Sequence, residues 1–444
     1  KTFSTAAVLD SYGADYRFRT PVYHTGALKQ GVLEGDLVLV ASGDLSLGLR
    51  ERPDGTLAFN NAPEYDHTYA NTGLAGPALV PGDPFAGLNR LAQNVRNAGI
   101  REIRGNVVID DRLFTPFSGW SGGLISSIWV NDNRIDITIT PTDPGKPAAV
   151  DWRPKTAAYT VESAVETVAH GRETTLEVDA PNPGVFRIHG RIASGHGPAL
   201  RVGEIAEPAA FARMAFIEAL ERAGVRVRAA ARGPNPSQLL PPPGSYRESQ
   251  RIAEQVSAPL KEFIKVILKV SHGPGADLMA CLVAVKAGSR NCEEGLKREF
   301  EVFTRFGFPP ESTFLFDGAG GDERDRTTPA AVTAFLRALA EQSYGAVFRR
   351  GLPVLGVDGT LAQTQVGSPA SGHVQAKTGR LTGVTPADQV LITALTLVGY
   401  AEAKSGRPLV LAIMVRDVPV PSLQEITAVD ADLGALAAAI QQGY

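Results

Sequence analysis

Cysteine is almost missing from this chain: Cys281 and Cys292 are the only two in 444 residues. Zinc sites are built from closely spaced cysteine or histidine pairs. None of His24, His67, His170, His189, His196, His272 or His373 lies in an H-E-x-x-H or C-x-x-C setting, so no metal is expected. Two unpaired thiols are the simpler reading of the cysteines, and a disulfide would need "NCEEG" to fold back on the helix before it. There is no excess of charge of either sign. Lysine and arginine number 44 against 47 acidic residues and are scattered, a net charge of −3, which excludes the footprint of a nucleic-acid binder. Long apolar runs are missing too. The best, "VLITALTLVGY" from Val390, is strand-sized and short of the ~18 residues that span a bilayer. No repeat of solenoid period occurs. Finally, there is no initiator methionine: the chain opens on Lys1, directly in a helical pattern with Phe3, Ala6, Ala7 and Val8 on helical steps, and its start reads as cut.

What is present is an ordinary globular composition, 43% hydrophobic and 20% charged, in a chain long enough for two or three domains. Alternating stretches such as "GVLEGDLVLVASGD" and "IREIRGNVVIDDRLF", bounded by glycine turns, predict antiparallel strands after the opening helix. "GLNRLAQNVRNAGI" predicts a helix closed near Gly99. From about Asn131 to Val227 short strands alternate with Pro-Gly loops, ending in a helix that opens at Pro208. The proline-dense "RGPNPSQLLPPPGSYRE" reads as a linker or surface loop. Beyond it a long helix is expected from about Ser249 to Val270, kinked at Pro259, then three more helices, then strands near 373–377, 390–400 and 408–415, and a closing helix. Helices followed by meandering strands predict an α+β fold, helices packed on an antiparallel sheet.

One stretch carries chemistry. In "SGHVQAKTGRLTGV" a predicted strand delivers Lys377 to its end, with Thr378 beside it and Gly379 where a side chain would obstruct a ligand. A cation, a hydroxyl and a strand edge together suit an extended peptide that ends in a carboxylate, although Lys-Thr-Gly also makes an ordinary hairpin turn. Ser271 lies in a second candidate stretch, between two helices in "KVILKVSHGPGADLMACL". Lys1 supplies a third. A serine three positions before it would share its helical face, so that the amine could take the serine's proton.

Ser-x-x-Lys, Ser-x-Asn and Lys-Thr-Gly are the three elements of the serine penicillin-recognising enzymes. The chain resembles in particular the D-alanyl-D-alanine carboxypeptidase/endopeptidases among the class C low-molecular-mass penicillin-binding proteins. The resemblance rests on "KTFSTAAVLDSYGADYRFRT", "GVLEGDLVLVASGDLSL", "GIREIRGNVVIDDRLF", "LKVSHGPGADLMACL", "FLFDGAGGDERDRTTP", "LPVLGVDGTL" and "GHVQAKTGRLTGV", in that order. It implies a transpeptidase/β-lactamase-like domain made of 1–48 and 240–444, with one or two β-rich domains inserted at 49–239. It also implies roles. Lys1 would be the base for a nucleophilic serine three residues upstream, Ser271 would pass a proton to the leaving D-alanine, and Lys377, Thr378 and Gly379 would hold the substrate. The implied reaction is acyl transfer from peptidoglycan stem peptides ending in D-Ala-D-Ala, with β-lactams trapped as acyl-enzymes, in the cell envelope and without a cofactor.

Gly273 departs from the pattern, because it stands where the family has the asparagine that bonds lysine and substrate. Losing those bonds would cost ~2–4 kcal/mol of transition-state stabilisation. An impaired relative that only binds or scaffolds peptidoglycan is therefore the rival reading, and an esterase or β-lactamase on the same fold is the third. An α/β hydrolase, which would announce itself by a G-x-S-x-G elbow, is set aside. His272 is expected to be a surface or loop residue. Asp322, Glu323 and Asp325 are expected to form a solvated loop rather than catalytic carboxylates.

Overall fold

The computed structural model describes residues 1–72, 76–119, 123–305, 307–387 and 389–444. Its helices are α1 (Thr2–Tyr12), α2 (Ala86–Asn97), α3 (Pro208–Arg222), α4 (Leu260–Lys269), α5 (Gly273–Lys286), α6 (Glu293–Arg305), α7 (Pro329–Ala340), α8 (Gly345–Gly351) and α9 (Leu423–Gly443). A four-stranded sheet runs in the order Arg251–Pro259, Arg17–His24, Leu37–Val40, Val107–Asp110. It thus draws strands from the first 48 residues and from 49–239 alike. One hydrophobic core follows the same division, joining Val22, Leu37 and Leu39 to Ile135, Ile137, Phe211 and Phe216. Two further sheets, Ala149–Arg153 with Arg134–Thr140 and Ala199–Glu204, and Thr160–Val168 with Val185–Ala193 and Thr175–Asn182, fill the middle of the chain.

A second core holds the helices together. Leu9 of α1, Phe263 and Ile267 of α4, Met279 of α5, Phe303 of α6 and Phe335 of α7 are buried in it, and Phe3 packs its ring between Phe303 and Phe335 with centroids 5.0 and 4.9 Å away. From Pro274 to Ala284, α5 is buried throughout, so this central helix is apolar on nearly every side, with Asp277 the one charged side chain in the stretch. The last sheet, Val374–Val384, Val390–Glu402 and Pro408–Val420 in sequence order, is antiparallel. Alternation gives it two apolar faces: Val398 and Tyr400 join the helical core, while Leu395, Leu397 and Ala401 meet Leu433 and Ala437 of α9.

Three expectations are corrected. Residues 251–259 form a strand, not the first half of a helix: Pro259, with φ −69° and ψ 152°, is extended, and only after it does the chain turn into α4. Its residues pair with Arg17–His24, so tertiary pairing overrides the helical spacing of Ile252 and Val256. The strand carrying Lys-Thr-Gly runs on to Val384, which puts Lys377 near its start. Cys281 and Cys292 are joined in a disulfide, because Thr115 N donates to the Arg290 carbonyl and α6 starts at Glu293, turning "NCEEG" back onto α5.

Candidate active site

Two of the sequence-predicted groups meet directly. The Nζ of Lys377, 5% exposed, donates to Ser271 Oγ at 2.8 Å and to the Thr378 carbonyl at 2.5 Å. Ser271 reaches it from the α4–α5 junction, where its backbone is left-handed at φ 60°, and Thr378 Oγ1 lies 2.8 Å from Thr360 Oγ1. Gly379 has a reason besides ligand access: a Cβ there would come within 2.5 Å of Thr396 Oγ1 on the neighbouring strand. The strand is at the edge of its sheet; its first residues are bridged from outside, Leu355 N donating to the Val374 carbonyl and Ala376 N to the Pro353 carbonyl, so the edge that an extended peptide could pair with is the stretch beyond Lys377.

Lys1 lies close enough to Lys377 to depress its pKa, yet its own hydrogen bond goes elsewhere, from Nζ to the Ala319 carbonyl at 2.7 Å. That carbonyl belongs to the glycine-rich loop after Asp317. The Asp317 carboxylate gathers the N–H groups of Gly320, Gly321 and Asp322, and Asp277 Oδ1 accepts from Gly318 N at 3.0 Å. Gly273 opens α5 on the same side. A Cβ on it would meet only the Ala319 Cβ, at 3.9 Å, so Gly273 contributes space beside the loop that holds Lys1.

Burial dominates the electrostatics. It pulls the Lys1 amine below its ordinary pKa although Asp277, Asp317 and Asp325 act in the other direction. It pulls Lys377 down further, helped by the positive charge of Lys1. The carboxyls nearby move the opposite way: burial, with Asp317 second, pushes Asp277 up to about 7, and burial pushes Glu299 up to about 8. An amine that sheds its proton readily, beside acids that keep theirs, is the environment of a general base.

Several expectations about single residues change here. His272 is fully buried. Its Nδ1 accepts from Gly275 N at 2.9 Å as the N-cap of α5, because a histidine in this position can satisfy a helix-end N–H that the following Gly-Pro-Gly cannot. Asp322 and Glu323 do face outward, Asp322 pairing with Arg324, but Asp325 turns in, accepts from Phe316 N at 2.7 Å and is pushed up to about 7 by burial and Asp317. The G-x-S-x-G spacing does occur, at Gly119 to Gly123, so the sequence alone does not dismiss an α/β hydrolase. Residues 120–122 lie outside the described residues, and the strands flanking them, Phe117–Ser118 and Leu124–Ile125, pair antiparallel as a hairpin. A nucleophile elbow instead joins a strand to a helix.

Sequence reasoning assigns no role to Tyr69, Thr360, Asp277 or Glu299: Thr360 and Asp277 lie inside stretches that carry the resemblance, yet no local spacing shows that they meet groups from distant segments. Asp66, His67 and Asp132 bring ligand atoms within 4.8 Å of one another, a spacing a metal could use. Arg50 already pairs with both Asp66 and Asp132, His67 bonds Asp132 through Nε2 and Asp136 through Nδ1, and Arg153 adds a third cation at Asp136, so the cluster balances its charges from its own side chains.

Comparison with known proteins gives the family. A D-alanyl-D-alanine carboxypeptidase from Actinomadura sp. (strain R39) is 26% identical over 414 residues, covering 87% of this chain and 68% of that one. Penicillin-binding protein 4 (DacB) of Haemophilus influenzae has the same fold, with a TM-score of 0.73 at 16% identity over 99% of this chain and 90% of that one. The same protein solved with a bound β-lactam gives 0.71 at 17% identity, with the same coverage. The family model of the D-Ala-D-Ala carboxypeptidase 3 (S13) family matches residues 1–432, and the chain belongs to that family of serine-type peptidases.

Proposed function

We propose that this protein is a D-Ala-D-Ala carboxypeptidase/endopeptidase of the cell envelope that cleaves peptidoglycan stem peptides through an acyl-enzyme and is acylated by β-lactams. The observation that carries this reading is the 2.8 Å hydrogen bond from Lys377 to Ser271, which joins the second and third motifs in one buried place. The nucleophile is the serine that the first motif puts three residues before Lys1. It attacks the carbonyl of the D-Ala-D-Ala peptide bond while Lys1, its pKa lowered by burial, takes the hydroxyl proton. The proton then passes through Ser271 to the leaving D-alanine nitrogen as the C–N bond breaks. Lys377 orients Ser271 and, with Thr378, meets the terminal carboxylate of a peptide laid along the open strand edge. Water hydrolyses the acyl-enzyme in the second half of the cycle; a β-lactam ring, once opened, stays attached.

Segments 1–48 and 240–444 form the catalytic domain in this reading, and 49–239 the insert, with the shared four-stranded sheet as their seam. Gly273 supports the rival, a protein that binds or scaffolds peptidoglycan with little turnover. Against it, Lys1 does have a partner: the Ala319 carbonyl supplies one acceptor that the absent amide would have offered. Release of D-alanine from a D-Ala-D-Ala peptide by the full-length protein, measured beside a simple ester and a β-lactam, separates the readings. Peptide turnover supports the peptidase, turnover of the ester or lactam alone supports an esterase or β-lactamase, and binding without turnover supports the scaffold.

A further inference from the structure

We propose that the inserted segment positions Ser271, with Tyr69 and Asp132 as positioning residues that hold this serine in the left-handed conformation in which its hydroxyl meets Lys377. The inference rests on the catalytic reading above. Ser271 has φ 60°, a region that a residue with a Cβ occupies at a cost and leaves unless its surroundings over-determine it. Its own helix supplies one restraint: His272 N donates to the Ile267 carbonyl at 3.0 Å, closing the last turn of α4 around the left-handed Ser271. That bond fixes the backbone of the turn, and the side chains of another segment add to it.

Two side chains from 49–239 close on it. Tyr69 donates its hydroxyl proton to the Ser271 carbonyl at 2.5 Å. One residue on, His272 accepts from Gly275 N with Nδ1, which leaves its proton on Nε2, and Nε2 donates to Asp132 Oδ2 at 3.2 Å. The peptide that follows the strained serine, and the side chain of the residue after it, are thereby tied to the insert.

Asp132 is itself fixed. Arg50 Nη2 reaches the same carboxylate oxygen at 2.9 Å and His67 Nε2 at 2.7 Å, and all four residues of this group are at most 3% exposed. His67 and Tyr69 come from one short helical turn, His67–Tyr69, capped by Asp66, so a single element delivers one arm of the clamp and a group that fixes the other. The sequence of the facing segment has a matching explanation. Asn131, Asp132 and Asn133 are all left-handed, at φ 52°, 52° and 53°, and asparagine and aspartate are the residues with a Cβ that adopt this conformation most readily. A chain that places three such residues in a row, and aims the middle carboxylate at the residue after the motif serine, is built to hold that position.

The test uses the full-length chain and benzylpenicillin. Tyr69→Phe removes one hydroxyl and leaves the ring, and it is expected to lower the acylation rate constant at least tenfold while the dissociation constant of the non-covalent complex stays within twofold. In a Ser271→Ala background, where acylation is already slow, Tyr69→Phe should add no further loss, since Tyr69 acts through Ser271. Acylation of Tyr69→Phe at the parent rate, or an equal loss in both backgrounds, overturns the proposal. Amide exchange at His272 and Gly275 reads the positioning without activity: it should quicken at least tenfold in Tyr69→Phe, and an unchanged rate overturns the proposal as well. A parent protein that takes no adduct at all contradicts the catalytic reading instead, and the exchange measurement then decides the positioning alone.

Discussion

At the scale of single residues, Gly273 is the position on which the proposed activity turns. Its Cβ position is open, with Ala319 Cβ as the neighbour at 3.9 Å, so a longer side chain has room to enter beside Lys1. Gly273→Asn is therefore expected to speed benzylpenicillin acylation about thirtyfold or more, the low end of the ~2–4 kcal/mol that a restored amide contact offers. Stopped-flow acylation measures it, and a slower variant would mean that the Ala319 carbonyl already fills the role of the amide. Much at this scale was legible in the sequence. Lys377 and Ser271 were visible because they belong to motifs whose spacing is local, and the structure brings them together. His272 was misread because the burial of a histidine beside a Gly-Pro-Gly turn depends on Asp132, 140 positions earlier, which no local pattern reveals.

At the scale of elements, local periodicity succeeded where packing agreed with it and failed where packing overruled it. The helices α2, α3 and α7 follow their apolar spacing closely. The segment before Pro259 has helical spacing as well, yet an open strand at Arg17–His24 claims its backbone. The disulfide between α5 and α6 belongs to this scale too. It closes a loop of sequence separation 11 at the far end of the helix that begins beside Ser271. Replacing both cysteines by serine is expected to lower stability by roughly 3 kcal/mol through the freed unfolded chain. Chemical denaturation of the two proteins checks this, and equal midpoints would show that α5 and α6 are held by their apolar contacts alone.

At the scale of the whole molecule, segment 49–239 shares a sheet with both 1–48 and 240–444, and Asp132 of its buried charge network bonds His272, so the proposed insert and catalytic domain should unfold as one unit. Burial alone would push His67 down, but Asp136 and Asp132 on its two nitrogens lift its pKa to about 9. A group raised on folding from 6.5 contributes fully below that value and loses its contribution as pH climbs through 9. Glu299, raised to about 8 by burial, acts with the same sign between its ordinary range and 8. The buried amines of Lys1 and Lys377, pulled down on folding, act with the opposite sign, so the contribution of His67 is read by difference: the gap in melting temperature between the parent and His67→Gln should narrow between pH 6.5 and 9, and a gap constant across the interval would contradict the charged state of His67. The central claim is a working acyl-enzyme, and it is tested most directly by the intact mass of the full-length protein before and after benzylpenicillin. The account predicts one penicilloyl adduct, mapped to a serine three residues before Lys1. A full-length protein that carries that serine and takes no adduct would contradict it.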